Sequence, residues 1–586
     1  MILDRINQPR DLKSLNNEEM ELLAEEIRYA ILNRVSKNGG HVGPNLGVVE
    51  LTIALHYVFN SPIDKIVYDV SHQCYPHKII TGRKEGFLNP EQFNKVSGYT
   101  NPAESEHDIF KVGHTSTSVS LACGLAKARN LKGDNENIIA VIGDGSLSGG
   151  EAFEGLDNAA ELNSNFIIVV NDNDISIAPN YGGIYKNLKL LRDTEGKAEC
   201  NFFKAMGLDY CYVKDGNNLQ ELIKTFEEIK DIDHPIVVHI NTVKGKGKEY
   251  IEKNKEAWHW SVPFDLETGT RIAKGNGDKT YTQLTADFLY EKAKSDKKVM
   301  VITPATANIL DFTPKFREDL GEQFIDVGIA EEHAIAYASG LAKNGAKPVV
   351  GIHSSFMQRA YDQLSQDLAI NKNPAVILVV RGGISSSDVT HLGMFDIPLA
   401  SNIPNIVYLA PTCKQEYFAM LEWGIEQKEY PVMIRVPNTS VTEKDITIEK
   451  DYSNLNKYKI EKQGEKVAII ALGNFYELGE KVKKELKEQK GINATLVNPR
   501  YITGIDEDVL EKLKENHKIV ITLEDGILDG GFGEKITRFY GDSNMKVLNF
   551  GAKKEFIDRT PLNELYTKYH LTEELIVSDI MTVIEK

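Results

Sequence analysis

The sequence predicts an α/β protein of three domains, each a mainly parallel sheet flanked by helices. Two observations predict it. Short, continuous apolar runs such as IIAVIG (138–143), FIIVV (166–170) and AVILVV (375–380) alternate with longer helical stretches, and strands apolar on both faces belong to sheets covered on both sides. The alternation also falls into three blocks, which place domains at 1–260, 281–445 and 462–586, each large enough for one core.

In chain order, 18–36 reads as a helix. Asn16 and Glu19 offer a capping box, and Leu23, Ile27, Ala30 and Ile31 share one apolar face. The first block adds IVVHI (236–240) to the two strand runs already named. KGKGKEYIEKNKE (244–256) reads as a linker or mobile loop, and a second polar, Gly-rich stretch at 273–280 precedes a new helix. The second block carries VMVIT (299–303), FIDVGI (324–329) and PVVGI (348–352), and the third KVAIIAL (466–472) and KIVITLE (518–524).

Composition narrows the function. With 68 Lys plus Arg against 85 Asp plus Glu, the net charge is −17, which disfavours general nucleic-acid or membrane-surface binding. Anionic substrates then require a locally basic site. Five cysteines without CxxC pairing argue against a disulfide framework and a structural zinc site. The N-terminal MILDRINQPRDLK lacks an apolar signal core, and no run approaches the ~18 apolar residues of a membrane span. The cytoplasm is the expected compartment.

The richest motif is GDGSLSGGEAFEGLDNAAELNSNFIIVVNDN (143–173). It reads as strand, Gly-rich turn, helix and second parallel strand, so both strand ends lie at one sheet edge. There Asp144 and Asn173 offer a carboxylate and an amide oxygen for a hard cation, with a diphosphate completing the shell. Gly143 and Gly145 let backbone N–H groups approach phosphates beside a helix N-terminus. Farther on, a strand leads to Glu331 at a helix start in IAEEHAIAYASGLA. Five histidines stand in Gly- or Ser-rich contexts at element ends: His41, His72, His114, His259 and His391. Imidazoles are the natural proton carriers near neutral pH.

HVGPNLGVVELTIALHYVFNSP, DVSHQCYPHKIITGR, VGHTSTSVSLACGLAKARN, FMQRAYDQ and DVTHLGMFD together resemble the 1-deoxy-D-xylulose-5-phosphate synthase family of transketolase-like enzymes, over nearly the whole chain. The resemblance implies a transketolase-like thiamine-diphosphate-binding fold with a C-terminal transketolase domain, thiamine diphosphate, Mg2+ and a homodimer. It implies condensation of pyruvate with glyceraldehyde 3-phosphate and release of CO2, feeding isoprenoid, thiamine and pyridoxal biosynthesis. Asp144, Asn173 and the Ile175 carbonyl would hold the metal. His72, Gly113, His114, Thr115, Gly143, Gly145 and Ser146 would surround the diphosphate, Phe356 would stack on the pyrimidine, and Glu331 would share a proton with it. His41, His72 and His391 would handle protons. His259, His353, Arg359, Arg381, Asp388 and His391 would meet substrate, the arginines because a guanidinium grips phosphate in a fork.

The chain departs from the family pattern at several points. The segment after Asn173 reaches Phe202–Met206 quickly, and the DVTH segment is one residue short. His353 replaces a usual Tyr, Lys248 a Tyr that touches thiamine, and Asn438 a phosphate-binding Arg. The competing readings are a transketolase-type ketol transferase that releases no CO2, a related synthase with another aldehyde acceptor, and a non-catalytic partner. Retention of both Asp144 and Glu331 argues against the last.

Overall fold

The computed structural model describes residues 1–272, 278–444 and 447–585. The chain forms two compact units, Met1–Asn276 with Gly328–Ala330, and Gly277–Val327 with Glu331–Lys586.

The first unit is built on a five-stranded parallel sheet ordered Lys65–Tyr68, Ile138–Gly143, Phe166–Asp172, Pro235–Asn241, Asp209–Val213. Successive side chains of a strand point to opposite faces, and the buried residues divide accordingly. Ile139, Val141, Ile167 and Val169 enter one core, and Ile138, Ala140, Ile142, Ile168 and Val170 the other. Helices Asn17–Asn38 and Leu219–Ile229 cover the first face, and Ser118–Lys132 and Gly150–Ala159 the second. The helix expected at 18–36 thus spans Asn17–Asn38, and both halves of the Asn16/Glu19 capping box form. A two-residue antiparallel pair joins Gly40–His41 to Trp260–Ser261.

The reading of 244–256 as a linker is corrected. Lys244 is 2% exposed and Ile251 lies wholly in the core. Gly245 N–H donates to the Gly43 carbonyl at 2.9 Å, and Glu249–Glu252 forms a helical turn. Local composition is polar, but tertiary contacts bury the lysine stem. Residues 273–277 of the second Gly-rich stretch lie outside the described residues.

The second unit holds two sheets. One has six parallel strands ordered Val407–Leu409, Val432–Arg435, Val376–Val380, Lys347–His353, Val299–Thr303, Phe324–Asp326. FIDVGI is therefore strand only to Asp326, because the chain turns at Gly328, where φ is 77°. The other sheet is ordered Lys459–Lys462, Thr495–Asn498, Lys466–Ala471, His517–Ile527, Lys546–Ala552, and its first strand is antiparallel.

A buried ionic cluster ties these two sheets. Arg435, 4% exposed, is gripped by Asp396 through Nε at 2.7 Å and Nη2 at 2.9 Å, and by Asp525. Tyr408 donates to the same Asp396 carboxylate at 2.5 Å. Removing one partner leaves buried charges uncompensated, which costs roughly 3–5 kcal/mol. Arg435→Met should therefore lower the urea midpoint by an amount equivalent to that loss. An unchanged midpoint would mean the cluster contributes nothing net.

Candidate active site

The strand, turn, helix and parallel strand read at 143–173 form as expected. Strands Ile138–Gly143 and Phe166–Asp172 are parallel neighbours with Gly143 opposite Asn171. Asp144 and Asn173 therefore leave the sheet at the same edge. Asp144 is 2% exposed, and burial followed by the charge of Asp172 pushes its pKa up to about 7. The three residues of Asn171-Asp172-Asn173 have different employment. Asn171 donates to Gln73 at 3.2 Å and accepts from Thr242 at 2.5 Å. Asp172 accepts from Arg192 at 2.5 Å and His239 at 2.8 Å. Asn173 Oδ1 is buried with no hydrogen-bond donor among the described residues. A buried amide oxygen without a donor is costly unless something else meets it. A hard cation suits that oxygen and the neighbouring carboxylate, so these residues fit a Mg2+ site. Ile175 follows two residues later and bridges to Pro179.

Gly145 is required by packing, since a Cβ there would lie 2.4 Å from the Ser176 Cβ, whereas a Cβ on Gly143 would meet nothing within 4 Å. Gly113 is buried, and His114 and Thr115 are half-buried, in the loop entering helix Ser118–Lys132. Asp69 organises that loop, accepting from the backbone N–H of Ser116 at 2.9 Å and Ser118 at 3.1 Å. Ser116 Oγ in turn donates to the Ser146 carbonyl at 2.8 Å, joining the loop to the 144–148 turn.

Three of the singled-out histidines meet. Ring centroids of His41 and His72 are 5.1 Å apart, His41 and His259 5.5 Å, and His72 and His259 5.2 Å. The short strand pair places His41 opposite Trp260, next to His259. Asn45 binds the other two turns together. Its amide donates to the His41 carbonyl at 3.0 Å and the His72 carbonyl at 2.8 Å, and its oxygen accepts from Tyr75 N–H at 2.9 Å. His72 follows a strained corner, with Val70 and Ser71 at φ 56° and 62°. A β-branched residue there is a true outlier, of the order of 1–3 kcal/mol. Ser71 holds the corner by donating to the Val112 carbonyl at 2.7 Å and accepting from Thr100 N–H at 2.9 Å.

Lys244, absent from the sequence-predicted residues, joins this cluster. Its amine donates to the Ser176 carbonyl at 2.5 Å and sits 3.1 Å from His259 Nδ1. Burial pushes its pKa down to about 7, with Asp144 opposing. Burial, then the neighbouring Lys244, His72 and His41, hold His259 well below the usual imidazole range. The only local hint of Lys244 was the Gly on either side of Lys246, which permits the tight turn at φ 87° and 90°.

In the second unit, Glu331 opens helix Glu331–Lys343 and is 2% exposed. Burial pushes its pKa up to about 7 against the opposing charge of Arg359, whose Nη1 is 3.9 Å from Oε2. Oε2 accepts no hydrogen bond among the described residues. Phe356 is half-buried beyond strand Lys347–His353 and packs 5.0 Å from the His353 ring and 5.6 Å from that of His391. Burial, then the charge of Arg381, lowers His391 to about 4. Arg381 stands at φ 58° at the end of strand Val376–Val380. Asp388 caps the following turn, accepting from Thr390 N–H at 3.1 Å and Thr390 Oγ1 at 2.8 Å. Asn438 is exposed beyond strand Val432–Arg435, and the locked Arg435 cannot take its place. Lys248 is half-buried and precedes the turn Glu249–Glu252.

Comparison with known proteins identifies the family. A family described as 1-deoxy-D-xylulose-5-phosphate synthase matches residues 3–201 and 194–242, the transketolase pyrimidine binding domain 278–443, and the transketolase C-terminal domain 456–576. The 1-deoxy-D-xylulose-5-phosphate synthase of Caldanaerobacter subterraneus subsp. tengcongensis is 39% identical, covering 99% of both chains. That of Clostridium tetani is 38% identical, again over 99% of both. With such identity over its full length, the chain belongs to the 1-deoxy-D-xylulose-5-phosphate synthase family of transketolase-class enzymes.

Proposed function

We propose that the chain condenses pyruvate with glyceraldehyde 3-phosphate to 1-deoxy-D-xylulose 5-phosphate, with release of CO2, using thiamine diphosphate held with Mg2+. It works as a cytoplasmic homodimer in the supply of isoprenoid, thiamine and pyridoxal precursors, with 1–260, 281–445 and 462–586 as its three domains. Five free cysteines accord with a reducing compartment. No described helix is long and apolar enough to cross a membrane.

The observation that carries this reading is Glu331, a buried carboxyl pushed up to about 7 whose Oε2 has no hydrogen-bond donor among the described residues. Thiamine diphosphate, when bound, supplies the nucleophilic carbon and the electron sink for decarboxylation. Glu331 holds the proton that must be shared with the pyrimidine, and near pH 7 it can both give and accept. Asp144, Asn173 and the Ile175 carbonyl hold the cation, and Gly113–Thr115 with Gly143, Gly145 and Ser146 surround the diphosphate. Phe356 supplies the stacking surface. His41 and His72 carry protons in the first unit's cluster beside His259, where the buried amine of Lys244, lowered to about 7, is a further group able to exchange a proton near neutral pH. Arg359 and Arg381 take the acceptor's phosphate, with Asp388, His353 and His391 on its polar groups.

A ketol transfer between sugar phosphates is separated from this reaction by CO2. Incubation with pyruvate and glyceraldehyde 3-phosphate should release one CO2 per pyruvate consumed. No release would rule the synthase reaction out.

Asn438 bears on the acceptor. A phosphate held by one fewer guanidinium loses roughly 1.5–3 kcal/mol, about tenfold to a hundredfold in affinity. The half-saturating concentration of glyceraldehyde 3-phosphate should therefore be high, and Asn438→Arg should lower it about tenfold or more with little change in kcat. Tight saturation by the wild type, unchanged by the added Arg, would show that the phosphate is held elsewhere. Preference for an unphosphorylated aldehyde would make the acceptor a different one.

A further inference from the structure

We infer that Asn180 is a positioning residue for the cation, acting through Asp144; the inference rests on the metal cradle proposed above. Asn180 Nδ2 donates to Asp144 Oδ2 at 2.8 Å. A carboxylate only accepts, so the amide nitrogen must be the end that faces it. Asp144 Oδ2 is thereby fixed by a neutral donor, and the carboxylate also accepts from the backbone N–H of Gly145.

The opposite end of the amide supplies a second observation. Asn180 Oδ1 is buried and has no donor among the described residues, as is true of Asn173 Oδ1. Mg2+ gives up its waters reluctantly and keeps several of them when bound. A cation-bound water is the donor that Asn180 Oδ1 lacks.

Asn180 is held for this task from both sides. Upstream, Arg192 bonds Asp172 at 2.5 Å and Asp174 at 2.6 Å, and Lys244 bonds the Ser176 carbonyl at 2.5 Å. Ile175 and Pro179 form a bridge that folds the segment back. Downstream, the Tyr185 hydroxyl donates to the Gly145 carbonyl at 3.2 Å. The segment 174–185 is thus a strap whose ends are fastened to the cradle, with Asn180 at its contact with the ligand carboxylate.

Outer-shell partners of metal ligands are worth about tenfold to a hundredfold in metal affinity. Calorimetric titration of the full chain with Mn2+ in the presence of thiamine diphosphate tests the inference, on wild type, Asn180→Ala, Asn180→Asp and Asp144→Ala. Asn180→Ala should bind Mn2+ about 10- to 100-fold more weakly with an unchanged melting temperature before metal is added. Asn180→Asp should lose as much, because it replaces the donor by an acceptor facing Asp144. Wild-type affinity in Asn180→Ala, or tighter binding in Asn180→Asp, would overturn the positioning role. Wild-type affinity in Asp144→Ala would instead remove the cradle itself.

Discussion

Glu331→Gln is expected to leave cofactor binding intact and to lower turnover by roughly 10²–10⁴-fold, the range a positioned proton carrier contributes. The amide keeps the shape of the side chain and cannot share a proton. The loss should fall on kcat with KM for pyruvate little changed, as for an interaction made in the transition state. Stability should move the other way. The Glu331 carboxyl is raised from 4.5 to about 7 by burial. In that interval the native state binds a proton that the unfolded state has released, so stability falls as pH rises from about 4.5 to about 7 and the full cost persists above. The displacement corresponds to something on the order of 3 kcal/mol. Cofactor-free Glu331→Gln should therefore melt above wild type at pH 8, with the difference closing toward pH 5. Near-normal turnover would assign the proton to another group. A melting difference independent of pH would show that the carboxyl is not held protonated.

Asp144→Ala is expected to abolish retention of thiamine diphosphate. The carboxylate is the only charged member of the proposed ligand set, so its loss should exceed the ~100-fold that loss of an outer-shell partner costs. Because Asp144 is raised to about 7 by burial and by Asp172, removing it also relieves an unfavourable burial. The variant should fold, and its melting temperature should no longer rise when cofactor and Mg2+ are added, whereas that of wild type should. A normal ligand-induced rise in the variant would move the metal site elsewhere.

Much of this was legible in the sequence because the central strands are long and apolar. Ile138–Gly143, Val299–Thr303 and Lys466–Ala471 match their runs to within a residue. Short or alternating strands left no such trace. Val407–Leu409 is three residues long, and DYCYV (209–213) is an edge strand that lacks the continuous aliphatic run of the central ones. Asp144 and Asn173 stood out as oxygen donors at the strand ends of one motif, whereas Glu331 stood out through the resemblance of its segment to the family pattern. Lys244, Asn45, Asp69 and Asn180 did not, since each acts through a partner distant in sequence. Lys244 reads as one more lysine in KGKGK, and only the fold reveals that its amine is buried beside Ser176 and His259. The corner at Val70–Ser71 was equally hidden, as nothing in a Val-Ser pair announces positive φ.

The central claim is the reaction itself, and identification of its product by mass spectrometry tests it most directly. The chain, supplied with thiamine diphosphate, Mg2+, pyruvate labelled with ¹³C at the methyl group and unlabelled glyceraldehyde 3-phosphate, should yield 1-deoxy-D-xylulose 5-phosphate carrying the label in its terminal methyl group. The label should be absent from the released CO2. A product lacking the labelled methyl, or sugar phosphates exchanged without consumption of pyruvate, would contradict the account.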